Sequence, residues 1–166
     1  MTDGRHFKVD GPHEVTLKAH RRIDVDEFKD TLDRKKKGLL DEKGCYVFAL
    51  RYGRGYRPLY VGRTGRSFRK EAFAPHHMLL LSDELSAKPG TLVLFFLIYV
   101  TTHGRVSVRS IEELETYLIR SAKLKNPHLL NTQTQDDPRA FVIEGIDTRG
   151  RKTAASRALM AALDLA

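Results

Sequence analysis

The chain has 166 residues, enough for one full hydrophobic core, and its 41% apolar and 30% charged residues fit an ordinary globular protein with no second domain indicated. Lys and Arg number 29 against 21 acids, and the formal charge of +8 favours a polyanionic partner, nucleic acid first and an anionic membrane surface second. The single cysteine excludes an internal disulfide and a multi-cysteine zinc site, and the longest apolar run falls far short of the ~20 residues of a membrane helix. With no secretory leader pattern at its start, the chain is expected in a reducing cytoplasm.

Residues Met1 to His13 are polar and unpatterned, either disordered or an edge strand. A short helix follows from Asp24, which is placed to cap it, with Val25, Phe28 and Leu32 on one face and Gly38 as its stop. Lys35, Lys36 and Lys37 then fall at the helix C-terminus, where cations oppose the dipole, as an exposed end or as a phosphate contact. Gly44 to Gly62 reads as two strands around a loop of Gly, Arg and Tyr. Cys45, Val47 and Ala49 face one way, and Tyr46, Phe48 and Leu50 the other. A loop centred on Gly53 predicts Tyr46 opposite Tyr60, two phenols side by side next to glycines that admit another backbone.

Beyond the hairpin, Ser67 is a plausible N-cap for a short helix marked by Phe68 and Phe73 and closed before Pro75. Arg63, Arg66, Arg69 and Lys70 crowd this segment, and His76 and His77 follow as loop residues or phosphate contacts. Leu85 to Gly90 reads as a connector, and Leu92 to Val100 as a central strand buried on both faces, broken at Thr101 to Gly104. Ile111 to Lys125 predicts a helix, with Ser110 and Glu113 as a capping box. Ile111, Leu114, Leu118 and Ala122 form its apolar stripe, and steps of ~100° put Glu115 inside that stripe and Glu112 at its margin. A carboxylate so placed needs a cation, a metal or a salt bridge to one of the arginines. Phe141 to Ile146 reads as a last short strand, Thr148 to Lys152 as a basic turn, and Ala155, Leu159, Ala162 and Leu163 as a closing amphipathic helix.

Gly44-Cys45-Tyr46, Tyr60-Val61-Gly62, the arginine-bearing segment and the Leu114-Glu115-Thr116-Tyr117-Leu118-Ile119 run, in that order, resemble the GIY-YIG nuclease family. The resemblance spans about Gly44 to Asn131 and implies an α/β protein of the α+β type. Its small, mainly antiparallel sheet of three or more strands would be flanked by helices. In that division residues 1–43 are an N-terminal extension with one helix, 44–131 the catalytic core, and 132–166 a C-terminal strand and helix packed on it. It further implies that Tyr46, Tyr60, Arg69, Glu115 and Asn131 are catalytic, with Arg63, Arg66, Lys70 and His76 toward the substrate and Glu115 holding Mg²⁺ or Mn²⁺. For the arginine, Lys70 is the direct ungapped match and Arg66 the next candidate; for Asn131, which also reads as a turn residue, the alternative is Asn126.

The implied activity is metal-dependent hydrolysis of phosphodiester bonds in DNA, with RNA as the other polyanion. Tyr46 would take a proton from the attacking water, Tyr60 would orient it, and the two exchange roles in a second version. A phenol with an ordinary pKa near ~10 serves as base only where cations lower it. Double-strand cutting by a chain with one site calls for a homodimer, and no membrane partner is expected. The competing readings are a non-catalytic nucleic-acid-binding module on the same fold and a protein-interaction domain. Cross-strand aromatic pairing by itself accounts for the tyrosines in either.

Overall fold

The computed structural model describes residues 6–101, 105–131, 142–146 and 152–165. Its middle is set by the most apolar run of the chain. In β6 (Thr91–Val100) the residues from Val93 to Leu97 are all fully buried. Alternation sends Val93, Phe95 and Leu97 into one half of the core and Leu92, Leu94 and Phe96 into the other, each full burial contributing about 1.5–3 kcal/mol.

Before β6 come β1 (His6–Glu14), β2 (Leu17–Lys18), β3 (Arg22–Ile23), α1 (Val25–Lys35), β4 (Gly44–Tyr52), β5 (Gly55–Thr64), α2 (Phe68–Glu71) and α3 (Pro75–Ala87). After it come α4 (Val108–Lys125), β7 (Val142–Ile143) and α5 (Ala154–Leu163). The main sheet runs β5-β4-β6-β1-β7. Its first four strands are antiparallel, and β7 pairs parallel with β1 over two residues. Helices α1, α2 and α3 cover one face through Phe28, Leu32, Phe68, Met78, Leu81 and Leu85. On the other face lie α4 and α5, through Ile111, Leu114, Leu118, Ala122 and Leu159. The expected α+β class holds in this form, and among the described residues no helix is long and apolar enough to cross a membrane.

Local chemistry explains the helix ends. The Asp24 side chain accepts the Glu27 N–H, acids sit in the first turn of α1 and bases in its last, and Gly38 beyond it has φ +86°. Lys36, just past the helix, pairs with Asp10 at 3.4 Å. Ser67 caps α2 as expected, accepting the Lys70 N–H.

Several sequence expectations are corrected. The N-terminal segment, expected as disordered or as an edge strand, supplies β1, which pairs with β6 along most of its length and is flanked on its other side by β7 at His6 and Phe7. Pro75 opens α3 at the first helical position, where its missing N–H costs nothing, so His76 and His77 are helical and α3 extends through Ala87. Helix α4 begins a turn before Ile111: Ser107 accepts the Ser110 N–H, and Ser110 lies buried inside the helix. Glu113 pairs with Arg109. The expected break at Thr102–Gly104, Phe141 of the last strand and Thr148–Arg151 of the basic turn lie outside the described residues.

The hairpin differs in register. Its turn is tight, with Tyr52 paired to Gly55 and Gly53 at φ +56°. Pairing then runs Leu50 to Arg57 and Ala49 to Pro58, shifts by one residue at Leu59, and resumes with Phe48 to Tyr60 and Tyr46 to Gly62. Pro58 has no N–H to give the ladder, a common site for a bulge. The shift decides the site, because without it Tyr60 would oppose Val47 and point to the other face.

Candidate active site

Tyr46 and Tyr60 are therefore diagonal neighbours on one face, with ring centroids 6.3 Å apart. The two glycines of the signature have separate reasons. Gly44, at φ +148°, lies so close to the Leu97 carbonyl of β6 that a Cβ would overlap it. Gly62 lies against the Tyr46 ring, which occupies the space of the missing side chain.

Beside the phenols opens a cleft of about 480 Å³ lined by Tyr46, Tyr60, Arg63, Arg66, Lys70 and Glu115, together with Glu71, Ala74 and His77. Strands β4 and β5, the loop after β5, helix α2, the start of α3 and the middle of α4 all contribute. Glu115 is 8% exposed, inside the apolar stripe as its position in sequence implied. Burial raises its pKa, and the nearby Glu112 adds to the rise. Arg63 opposes both. The Arg63 Nε donates to Glu115 Oε2 at 2.8 Å, and its Nη1 lies 3.3 Å from Glu112. Arg66 pairs with Glu71 at 2.8 Å, whereas Lys70 forms no ion pair with a described carboxylate.

Arg69 does not line the cleft. Its guanidinium makes a fork with Asp33, at 2.7 and 3.1 Å, and reaches Asp41 at 3.2 Å, tying α2 to α1 and to the segment before β4. His76 is exposed on α3, its ring tilted at 57° to that of His77 with centroids 3.9 Å apart. The histidine in the cleft is His77, whose Nε2 lies 3.0 Å from the Tyr60 hydroxyl. Its Nδ1 is buried without a partner, which favours the tautomer bearing its proton on Nε2 and donating to the Tyr60 oxygen, because a buried N–H left unmade is the costlier orphan. Burial, then His76, depresses the His77 pKa and keeps the ring neutral. Sequence reasoning named His77 only beside His76, as a loop residue or phosphate contact, and missed Glu71; reading Pro75 as a helix start would have shown that only one of two adjacent histidines faces inward.

Asn131 acts on the backbone. Its side-chain amide accepts the Val61 N–H at 2.9 Å and donates to the Val61 carbonyl at 2.7 Å, completing the free edge of β5 between Tyr60 and Gly62. Leu130 N–H donates to the Leu59 carbonyl, and Asn126 donates to the Pro58 carbonyl while accepting from Arg57. The segment from Asn126 to Asn131 thus covers an edge that would otherwise stand open.

The phenols do not have depressed pKa values. Burial first, then Glu115, pushes the Tyr60 hydroxyl up to about 12. Tyr46 is displaced further upward, by burial and then by Tyr60, Glu115 and Glu71, and its hydroxyl donates to the Glu71 carbonyl at 3.3 Å. The guanidinium groups expected to lower them are engaged by carboxylates.

As to a metal, among the described residues no three His, Cys, Asp or Glu side chains form a ligand cluster. A hard cation such as Mg²⁺ needs no such cluster, since one or two carboxylates with water and phosphate oxygens suffice. Glu115 fits that role, because its Oε1 takes no hydrogen bond from a described residue while Oε2 is held by Arg63. Comparison of the chain with protein-family models, with curated proteins and with solved structures gives no match.

Proposed function

We propose that the chain is a metal-dependent endonuclease of the GIY-YIG type, hydrolysing phosphodiester bonds of DNA. The observation that carries this reading is the convergence, in one open cleft, of two phenols, a buried carboxylate and an uncompensated lysine drawn from four separate elements. Neither sheet packing nor a structural ion pair calls for that combination.

In this reading Lys70, the direct ungapped match, takes the phosphate, with Arg66 at the rim, in the role that the resemblance implied for Arg69. Tyr60 is better suited than Tyr46 to take the proton of the attacking water. Its pKa is displaced less and it is not closed inside the core. His77 donates to its oxygen and would steady the phenolate, the form able to accept that proton. Tyr46 borders Tyr60 and fixes the depth of the cleft, and Asn131 holds β5 so that Tyr60 keeps its aim. Mg²⁺ or Mn²⁺ bound through Glu115 supplies positive charge for the pentacovalent phosphate and lowers the pKa of a coordinated water. Arg63 competes with that cation for the same carboxylate.

The test is incubation of plasmid DNA with Mg²⁺ or Mn²⁺ beside Glu115→Ala. Wild type nicks the plasmid and the variant does not; equal amounts of intact DNA in both contradict the reading. A second reading, a nucleic-acid-binding module without catalysis, is favoured by the Arg63–Glu115 pair and by the two protonated phenols. It predicts salt-sensitive binding with no cleavage under any metal.

A further inference from the structure

The small β2–β3 hairpin carries a feature that the cleft does not require. Lys18, Ala19, His20, Arg21 and Arg22 are exposed in succession around its turn. Many arginines elsewhere are paired with carboxylates, among them Arg34 with Glu27, Arg51 with Glu14, Arg63 with Glu112 and Glu115, and Arg69 with Asp33 and Asp41. At this tip neither Lys18, Arg21 nor Arg22 forms an ion pair with a described carboxylate, and the Arg21 guanidinium donates to the Gly90 carbonyl at 2.8 Å.

The backbone is unusual at the same residues. His20 (φ 61°, ψ 29°) and Arg21 (φ 57°) are consecutive left-handed positions occupied by residues other than glycine. Glycine adopts that conformation without steric penalty, so the chain bears strain while presenting charge there. Strain of this kind collects at sites of function.

Position supplies the third observation. Ile23 and Leu17 pack into the half of the core that holds Tyr46 and α3, so hairpin and phenols share one face of the sheet. The hairpin meets α3, and Arg21 reaches Gly90, just beyond the end of that helix. The other end of α3 borders the cleft through His77. A helix of 13 residues at ~1.5 Å per residue separates them by roughly 20 Å, about six base pairs of duplex at ~3.4 Å each.

We infer that the β2–β3 hairpin is a second nucleic-acid contact, an arm that grips the phosphate backbone about six base pairs from the cleft through Lys18, Arg21 and Arg22. It rests on the reading of the cleft as acting on nucleic acid. The contacts assigned to it are to phosphates, which set position and orientation on the duplex and carry no sequence information directly. It extends the bound length of duplex beyond what the cleft alone would hold.

The experiment measures binding of the full chain to duplex DNA in chelator, without divalent metal, across a series of salt concentrations. Wild type is compared with the combined variant Lys18→Gln, Arg21→Gly, Arg22→Gln and with Arg157→Gln, an exposed arginine of α5 across the sheet, as a control. Arg21→Gly relieves the left-handed strain, and a thermal melt checks that the variant is folded. On a long duplex the slope of log affinity against log salt becomes shallower by about 0.9 for each lost phosphate contact, while Arg157→Gln keeps the wild-type slope. On a duplex ending within about six base pairs of the cleft the combined variant and wild type bind alike. An unchanged slope on the long duplex, with wild-type binding salt-dependent, overturns the arm and leaves the cleft reading standing. Wild-type binding that does not respond to salt overturns both.

Discussion

Arg63 and Glu115 determine whether this cleft can accept a cation. The carboxylate is buried and its pKa is raised for that reason, and the guanidinium 2.8 Å away is the compensating charge. A cation entering the cleft must displace that guanidinium. Arg63→Gln is therefore predicted to tighten Mn²⁺ binding by about tenfold, the equivalent of ~1.4 kcal/mol of competing ion pair, read from the free Mn²⁺ signal in a titration. Weaker or unchanged binding would make Arg63 a partner of the metal site instead of its competitor. Tyr60 sets the pH dependence. With its hydroxyl pushed up to about 12, the base form is scarce at neutral pH and grows as pH rises. Cleavage is predicted to increase about tenfold per pH unit above neutrality and to vanish in Tyr60→Phe, whereas a flat profile would assign proton removal elsewhere. Glu115 was legible in the sequence because helical stepping put an acid among apolar neighbours. Its pairing with Arg63 was not, because nothing local says that α4 packs against β5.

At the scale of elements, α2 decides between two adjacent cations. Arg69 and Lys70 are adjacent on a helix of one turn, about 100° apart, so only one of them faces the cleft. Asp33 and Asp41, distant in sequence, decide that it is not Arg69. The Arg69 guanidinium holds the Asp33 carboxyl below its usual value. A carboxyl with a lowered folded pKa stabilises above its ordinary pKa, and that contribution is lost as pH falls through the lowered value. Asp33→Asn is predicted to melt at a lower temperature than wild type at neutral pH, with the difference closing as pH falls through the lowered carboxyl value; a constant difference would contradict the ion pair. Strand β5 carries the other constraint. Asn131→Ala leaves the Val61 N–H and carbonyl without partners, a loss of about 1–3 kcal/mol. Hydrogen exchange at the Val61 amide should quicken, and unchanged protection would show that Asn131 does not secure this edge. The alternation of β4 and the burial of β6 could be read from side-chain periodicity. The hairpin register could not, because the bulge at Leu59 restores by one residue the phase that the two-residue turn had shifted.

In the whole molecule, helices on both faces enclose a sheet whose β4 and β5 supply the tyrosines, while α4 brings Glu115 from the opposite face. The α+β arrangement is the one that the resemblance of the tyrosine hairpin and its following segments implied, and the basic character could be read from the excess of Lys and Arg over acids. Which cations remain unpaired follows from tertiary contacts, and the sequence does not display them. The account stands or falls on whether Glu115, Lys70 and Tyr60 act on one phosphate with a bound metal. A crystal containing a short duplex and Mn²⁺ tests this most directly. The account predicts an anomalous difference peak about 2.0–2.3 Å from a Glu115 oxygen, Arg63 displaced from that carboxylate, and a phosphate between Lys70 and Tyr60. A structure with duplex bound, Arg63 still on Glu115 and no peak in the cleft would contradict it.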